Sequence, residues 1–477
     1  MMFKTLKNAW KTPDLRKKML FILFILLLYR IGAAIPVPFV DHYALAGFGM
    51  DAAASKLSDL GGIFAYMNLL SGGAMEQATL FALGVSPYIN ASIIVQLLCV
   101  ASRRLEALSQ QGEEGKKVIN KITRFITVAI AIVTAVGYYF ILKNAGYLTK
   151  DATSGPFAVF YAFVIVACFC AGASLVMWLA ERINENGLGN GISLILFANI
   201  IATLPSTIYK LYELFTISIG KGDGQALAIV WSSILTVVVV GGLIALTVFI
   251  IFITGSERRI PIQYAKRTVG RKMYGGQSSN LPIKLNMTGV MPIIFASSIC
   301  SLVPTILMLC QVTSVASAGD KANFWNYFYD FCDASGWFYN VMLFILIIAF
   351  AYFYITISFN PIEVSNNLQK NGGTIPGIRQ GKPTADFISR VLSKITFAGA
   401  LFLGFVALLP VILRAVLFIP GVETIIAGTG YQGYVDYFTA AFTFGGTSIL
   451  IVVGVVQETA RELESQMAMR SAKGFLK

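Results

Sequence analysis

The side chains that could carry out chemistry in this 477-residue chain are few and scattered. The one histidine, His42, stands alone between apolar runs, which predicts a solvated loop residue rather than a metal ligand. The six cysteines fall mainly inside apolar runs without metal-ligand spacing, and only Cys332 lies in a clearly polar stretch. We therefore expect neither a zinc site nor a disulfide framework.

The apolar runs also lack the residues that intramembrane catalysis and ion-coupled transport need. No Asp or Glu is evident near the centre of a long apolar run, where a proton-coupled carrier would need one. An intramembrane protease would need a nucleophile with its base, or a pair of acids. No GxxxxGK[ST] phosphate loop occurs either, so we expect no enzyme activity and no cofactor.

A glycine-rich segment, residues 181–191, reads ERINENGLGNG and joins two apolar runs. Glycine loops that bind nucleotides follow a β-strand within a βαβ unit, and this segment does not. A tight turn on the cytoplasmic side is the favoured interpretation, and a nucleotide site is the minor alternative.

The elements that position these residues are apolar segments of membrane-spanning length. The chain is 56% hydrophobic and 13% charged, with a mean hydropathy of +0.71, which excludes a soluble globule. Windows of about 20 mainly apolar residues predict ten transmembrane helices. Their approximate bounds are 19–35, 78–100, 122–142, 157–179, 192–214, 226–253, 288–309, 338–357, 391–413 and 437–456.

The cations determine the predicted orientation. Most of the 37 Lys and Arg residues lie in the N-terminal tail, in the loops after the even-numbered spans and in the C-terminal tail. The positive-inside rule then puts both termini in the cytoplasm. We divide the chain into a tail (1–18), a first five-helix half (19–214), a second half (226–456) and a C-terminal tail (457–477). Halves of five helices must be inverted relative to each other, as in many transporters and pores.

Residues 61–79, on the predicted non-cytoplasmic side, contain a short apolar stretch bracketed by the glycine pairs Gly61-Gly62 and Gly72-Gly73. About ten apolar residues cannot span a bilayer. Backbone at membrane depth is tolerated without a full helix only where protein or a water-filled cavity surrounds it. The stretch is therefore either a re-entrant half helix with glycine hinges or an ordinary amphipathic turn outside the membrane.

Two predicted cytoplasmic loops are basic. In the longer one, apolar and basic residues alternate over 260–274, which predicts a hairpin that projects past the lipid headgroups. The other, NGGTIPGIRQGKP at 371–383, exposes Arg379 and Lys382. Basic loops usually rest on anionic lipid, but some 35 residues between two helices exceeds what orientation requires.

Nine sequence fragments, taken in order, resemble the SecY family of bacterial protein-conducting channels. They are IPVPFVD, SGGA, FALGVSPYINASIIVQLL, NGLGNGIS, RRIPIQYAKR, LPIKLNMTGVMPIIFASS, FNP, PGIR and FGGTSILIVV. The resemblance runs from about residue 20 to about residue 465. It implies an all-α polytopic membrane protein, with ten transmembrane helices in two inverted halves around a central pore that a short plug helix closes.

The resemblance also implies roles for individual positions. The constriction would be a ring of aliphatic side chains at mid-membrane: Val85, Ile89, Leu196, Ile294 and Ile451. The plug would span residues 61–74 and include Gly61, Gly62, Ile63, Phe64, Tyr66, Asn68, Leu69, Gly72 and Gly73. A narrow apolar collar dewets and blocks ions, yet can deform around a moving chain.

By the same resemblance, helices 2 and 3 would face helices 7 and 8 across a lateral gate that opens to lipid and binds signal sequences. The cations expected to dock the ribosome and the SecA ATPase are Arg258, Arg259, Lys266, Arg267, Arg271, Lys272 and Arg379. Gln380 and Lys382 stand where the bacterial pattern is closer to PGIRPGE, so the loop's stiffness and charge differ from that pattern. SecE and usually SecG are the implied small subunits.

We interpret the chain as a channel that passes unfolded secretory polypeptides across the bacterial plasma membrane and releases apolar segments into lipid. Its partners would be SecE, SecG, SecA, the ribosome, signal-bearing polypeptides and membrane lipids, with no small-molecule substrate. A secondary transporter with a five-plus-five repeat is the main alternative, and it would need a polar site at mid-membrane. An intramembrane enzyme is the second.

Overall fold

The structure is a computed structural model, and it describes residues 9–41, 62–149, 157–220, 226–264, 267–269, 272–274, 278–310, 312, 323–333, 336–417 and 446–474. Its helices are α1 (Pro13–Ala34), α2 (Gly62–Ser71), α3 (Ser86–Ala101), α4 (Arg103–Gln110), α5 (Glu113–Ala145), α6 (Ala158–Asn186), α7 (Gly191–Gly220), α8 (Ala226–Gly255), α9 (Met291–Leu309), α10 (Phe324–Cys332), α11 (Trp337–Ser358), α12 (Pro361–Lys370), α13 (Lys382–Leu417) and α14 (Thr447–Gly474). The strands are β1 (Glu257–Tyr264), β2 (Arg267–Val269), β3 (Lys272–Tyr274), β4 (Ser278–Lys284) and β5 (Gly373–Thr374).

Each of the ten predicted spans overlaps a helix of the structure, and these helices are α1, α3, α5, α6, α7, α8, α9, α11, α13 and α14. Residues 437–445 of the last predicted span lie outside the described residues. Among the described residues, five helices are long and apolar enough to cross a bilayer, and three more apolar helices are shorter. Phe163 on α6 is 71% exposed and Phe252 on α8 is 73% exposed. Large apolar side chains that face outward in this way suit helices surrounded by lipid.

The second predicted span, 78–100, begins too early, because the structure is helical only from Ser86. The residues before it form turns, and Ala78 and Gly84 have φ angles of 45° and 55° in the left-handed region. Pro87 then lies in the first turn of α3, where its missing N–H leaves no helical hydrogen bond unmade.

The glycine-rich segment is also shorter than predicted, because α6 continues to Asn186. The backbone N–H of Gly191, which starts α7, donates to Oδ1 of Asn184 at 2.7 Å. A Cβ on Gly191 would lie 2.1 Å from the carbonyl oxygen of Ala180. The segment is therefore a close turn between two packed helices, as the favoured interpretation required.

The chain divides into two compact units, and the first contains residues 1–210, 297–342 and 455–477. Its core joins α5 and α6, where the rings of Tyr138 and Phe169 meet edge to face with centroids 5.1 Å apart. Tyr329 on α10 packs in the same cluster. Cys332, expected in a polar loop, instead ends α10 and is 7% exposed.

The second unit contains residues 211–296 and 343–454. The predicted hairpin is confirmed and is longer than expected, because β1 pairs antiparallel with β4 while β2 pairs with β3 inside it. The strand β5 adds to the other edge of β1, giving the order β4-β1-β5. Ile260 on β1 and Ile283 on β4 pack with Ile388 of α13 in one buried cluster. This cluster fixes the sheet on its helices.

Candidate functional site

The five predicted ring residues lie on four helices. Val85 is the N-cap of α3 and Ile89 is one turn further along, while Leu196 is in the second turn of α7. Ile294 lies in the first turn of α9, and Ile451 lies near the start of α14.

These five side chains are between 1% and 3% exposed. Other aliphatic side chains on the same helices are far more open, such as Leu97 on α3 at 39% and Ile306 on α9 at 56%. On α3, α7 and α9, the ring candidates therefore lie on buried sides of helices that also carry exposed aliphatic side chains.

The stretch predicted as either a half helix or a turn contains the ten-residue helix α2. Ile63, Phe64, Tyr66, Asn68 and Leu69 belong to it, Gly62 begins it, and Gly61 lies outside the described residues. Gly72 and Gly73, which follow the helix, have φ angles of 69° and 85°. Because side chains disfavour this region, the two glycines permit the sharp turn that ends α2.

Polar side chains hold the end of α2 in ways that the sequence did not reveal. Asn68 accepts a hydrogen bond from the backbone N–H of Glu76 at 3.0 Å and donates to the Glu76 carboxylate at 2.8 Å. Asn199 on α7 donates to the carbonyl oxygen of Leu70 at 2.6 Å and to the hydroxyl of Tyr29 at 2.9 Å. No local signal could have found Asn199, because its partners are 129 and 170 residues away in sequence.

A cavity of about 410 Å³ lies in the first unit beside this helix. Met67 and Leu70 of α2 line it together with residues of α3, α5 and α9, including Ile94, Ile130 and Ile306. The lining is mainly aliphatic, which suits an apolar helix better than a polar solute. Among the described residues, no group of three or more His, Cys, Asp or Glu could hold a metal ion.

The predicted docking cations are only partly described. Arg258 and Arg259 lie exposed on β1, and the guanidinium of Arg259 is 2.7 Å from the Glu257 carboxylate on the same strand. Arg267 and Lys272 belong to β2 and β3. Lys266 and Arg271 lie outside the described residues.

Arg379 is exposed on a loop that is tied down on both sides. Its carbonyl oxygen accepts a hydrogen bond from the Thr384 hydroxyl at 2.7 Å, and the hydroxyl of Ser365 on α12 donates to the carbonyl oxygen of Gly381 at 2.8 Å. Ile375 and Ile378 pack into the buried cluster under the sheet. The backbone around Arg379 is therefore fixed while its side chain faces outward.

Comparison with known proteins gives one consistent result. The family model described as SecY matches residues 79–460. The chain is 40% identical to the protein translocase subunit SecY of Streptomyces coelicolor over 480 aligned residues, with both chains fully covered. It is 38% identical to the protein of the same name from Corynebacterium glutamicum, covering 98% of this chain and 99% of that one.

Solved structures share the fold at lower sequence identity. A structure described as a protein conducting channel aligns with 94% of this chain and 91% of its own, with a TM-score of 0.59 and 18% identity. A structure described with the plug domain of the SecY protein aligns with a TM-score of 0.57 at 18% identity and the same coverage. The canine Sec61 channel in a ribosome complex gives a TM-score of 0.55 at 17% identity, with the same coverage again.

Proposed function

The chain belongs to the SecY family of protein translocase subunits, and we propose that Val85, Ile89, Leu196, Ile294 and Ile451 form the constriction of its channel. As a family member it is a bacterial membrane channel for proteins rather than an enzyme. The predicted architecture of ten spans in two halves agrees with that of the family. The boundaries of those halves at 19–214 and 226–456 stay a prediction.

The observation that carries the ring proposal is the burial of all five aliphatic side chains, four of them on helices α3, α7 and α9 that also bear exposed aliphatic side chains. An apolar collar excludes water at rest, because water inside it would have no polar partners. Ions then meet a dewetted barrier, while branched aliphatic side chains can still move apart around a polypeptide.

Replacing Ile294 and Ile451 together with serine tests the ring. The serine hydroxyls would wet the constriction, so we expect the resting channel to conduct ions in planar bilayer recordings. The matched control replaces the same two residues with valine, which keeps the collar apolar, and should stay silent. If the double serine variant is as silent as the valine variant, the ring lies elsewhere.

We further propose that residues 61–74 are the plug, with α2 closing the channel from the non-cytoplasmic side. The proposal is supported by the shortness of α2 and by the glycine turn that ends it. The plug domain described for a SecY protein of the same fold also supports it. We expect α2 to leave the pore when a polypeptide enters.

We propose that the apolar cavity beside α2 receives the signal sequence. It opens among α3, α5 and α9, which are the second, third and seventh predicted spans. A signal sequence contains an apolar segment that matches such a lining. Helices 2 and 3 on one side and helices 7 and 8 on the other would then separate to release apolar segments into lipid.

The docking cations Arg258, Arg259, Lys266, Arg267, Arg271, Lys272 and Arg379 are proposed to bind the ribosome and the SecA ATPase. Solved structures of the same fold include the canine Sec61 channel and the yeast Ssh1 complex, each described with a ribosome. Both termini would be cytoplasmic, and SecE and SecG would be the small subunits. Purification in mild detergent should recover a partner of one to three helices.

A further inference from the structure

The amide of Asn199 joins three separate parts of the first unit. Its Nδ2 atom donates to the carbonyl oxygen of Leu70 at the end of α2 and to the hydroxyl of Tyr29 on α1. Asn199 and Tyr29 are both fully buried, and Leu70 is 8% exposed. An amide with two short hydrogen bonds in a buried site holds its partners in a defined position.

The segment after α2 is held independently of Asn199. The hydroxyl of Tyr138 on α5 donates to the carbonyl oxygen of Met75, and Thr79 forms a bridge with Pro36. These contacts tie residues 75–79 to the rest of the unit. Gly72 and Gly73 lie between these contacts and α2, so the glycine turn is the place where α2 can rotate relative to the rest of the unit.

Gly72 also gives Asn199 room. A Cβ on Gly72 would lie 3.0 Å from Oδ1 of Asn199, 3.0 Å from Nη1 of Arg30 and 3.1 Å from the Asn199 backbone. A larger residue would therefore push the turn away from α7. The turn and the amide therefore fit each other closely in this position of α2.

We propose that Asn199 is a positioning residue that latches the plug in its closed place by holding the Leu70 carbonyl. This inference rests on the assignment of α2 as the plug. Opening would break the bond from Asn199 to Leu70 and the bonds between Asn68 and Glu76, while Tyr138 keeps its bond to Met75, so that α2 pivots at Gly72 and Gly73 and its base stays attached.

The hydrogen bonds that Asn199 makes are partly offset by an unsatisfied acceptor on the same amide. Among the residues that the structure describes, Oδ1 of Asn199 has no hydrogen-bond partner. A buried acceptor without a partner offsets part of what the two donated bonds contribute. From α7, the latched state is held by the donors of this one amide, in addition to the bonds between Asn68 and Glu76 across the glycine turn. Removing the Asn199 donors should therefore weaken the latched state.

The experiment measures how fast a membrane-impermeant maleimide modifies a cysteine at position 66, added from the non-cytoplasmic side. Tyr66→Cys is placed in a full-length chain whose six native cysteines are alanine, reconstituted with its partner subunits in proteoliposomes. Rates are taken at rest and with a secretory precursor stalled in the channel. Asn199→Leu keeps the side-chain size but removes the Nδ2 group that donates to Leu70 and Tyr29. If the leucine variant does not assemble, Asn199→Ala is measured in its place.

We expect Asn199→Leu to raise the resting rate about 5- to 30-fold, the factor that corresponds to one or two kcal/mol. The rate with a stalled precursor should stay unchanged, which a general loss of structure would not produce. The matched control is Ser193→Ala on the same helix, at a site that is 1% exposed and whose hydroxyl has no partner among the described residues. It should leave both rates unchanged.

Two results would overturn different claims. If the parent chain is modified faster during translocation but Asn199→Leu and Asn199→Ala leave the resting rate unchanged, the latch is wrong and the plug assignment stands. If the parent chain is modified equally fast in both states, the plug assignment itself is wrong.

Discussion

Arg124 on α5 and Glu181 on α6 form a two-point ion pair, with Nη2 2.7 Å from Oε2 and Nε donating to Oε1 at 2.9 Å. The Glu181 side chain is 11% exposed, whereas that of Arg124 is 51% exposed. The pair therefore combines a nearly buried carboxylate with a guanidinium that still reaches solvent. It joins two helices whose remaining contacts are largely apolar.

We expect Arg124→Ala to reduce the stability of the purified protein by about 1 to 2 kcal/mol, between the values typical of exposed and of buried pairs. The cost arises because the nearly buried carboxylate loses its guanidinium. The control is Arg182→Ala, which removes an exposed pair with Glu185 and should cost at most about 1 kcal/mol. Thermal unfolding in nanodiscs measures both, and equal losses would contradict the prediction.

Gly172 allows α6 to pass close to the turn before α3. A Cβ at this position would lie 1.9 Å from the carbonyl oxygen of Leu80, which is a backbone atom and cannot rotate away. We expect Gly172→Ala to lower stability by about 1 to 3 kcal/mol through overpacking. Gly241→Ala is the control, because nothing lies within 4 Å of its added Cβ and alanine favours a helix by up to about 1 kcal/mol. A melting temperature that moves in the same direction for both variants would refute this.

Glu458 lies on α14 beyond the predicted end of the last span. Burial raises the pKa of its carboxyl, the neighbouring Glu462 raises it further, and Arg461 opposes the effect. The folded chain then holds this proton more tightly than the unfolded chain does, so stability falls as pH rises from about 4.5 through the raised pKa.

We therefore expect Glu458→Gln to raise the melting temperature at pH 7, because glutamine mimics the protonated acid. At a pH below 4.5 the gain in melting temperature should vanish, since the Glu458 carboxyl is then protonated in both the folded and the unfolded chain. Calorimetry at the two pH values measures the difference. A gain of the same size at both would show that the substitution acts through packing instead.

Arg379 is the docking cation whose surroundings are best defined. Its fixed backbone presents a planar guanidinium that can pair at two points with a carboxylate or an RNA phosphate, and lysine cannot reproduce this geometry. We expect Arg379→Lys to slow motor-driven export and Arg379→Glu to slow it more. The loss of docking free energy should approach about 2 to 5 kcal/mol if the ion pair is buried in the interface with the partner.

The matched control for Arg379→Glu is Lys382→Glu, which makes the same charge reversal three residues further along the chain, at the first residue of α13. It should have a much smaller effect if geometry rather than net charge matters. Export of a secretory precursor into membrane vesicles, at low and at moderate salt, measures both. A wild-type rate for Arg379→Glu would move the docking role to the cations of the hairpin.

Hydropathy predicted the ten spans well, because the cost of burying polar backbone and side chains in lipid is large and acts on every window. It failed at the start of the second span, where apolar residues continue through turns. Apolarity does not report φ, and the left-handed angles at Ala78 and Gly84 delay the start of the helix until after its apolar run has begun. The hairpin was predictable because alternation along a strand is a local pattern.

The candidate site was less accessible to sequence reasoning. Val85, Ile89 and the other ring candidates look like any buried aliphatic, and only the family resemblance singled them out. The bonds from Asn199 to Leu70 and Tyr29 depend on how α1, α2 and α7 pack, which no window of residues reports. Glu181 was visible as an acid, but its pairing with Arg124 arises from the packing of α5 on α6.

The sheet β4-β1-β5 has two outer strands, and a protein channel handles chains whose backbone amides are still unpaired. Such chains readily add as a further strand to an open sheet edge, which would hold the translocating polypeptide on the channel. Here β5 is two residues long, and β4 contains Pro282, which has no N–H to offer. Both edges therefore make poor templates for the addition of an unfolded polypeptide as a further strand.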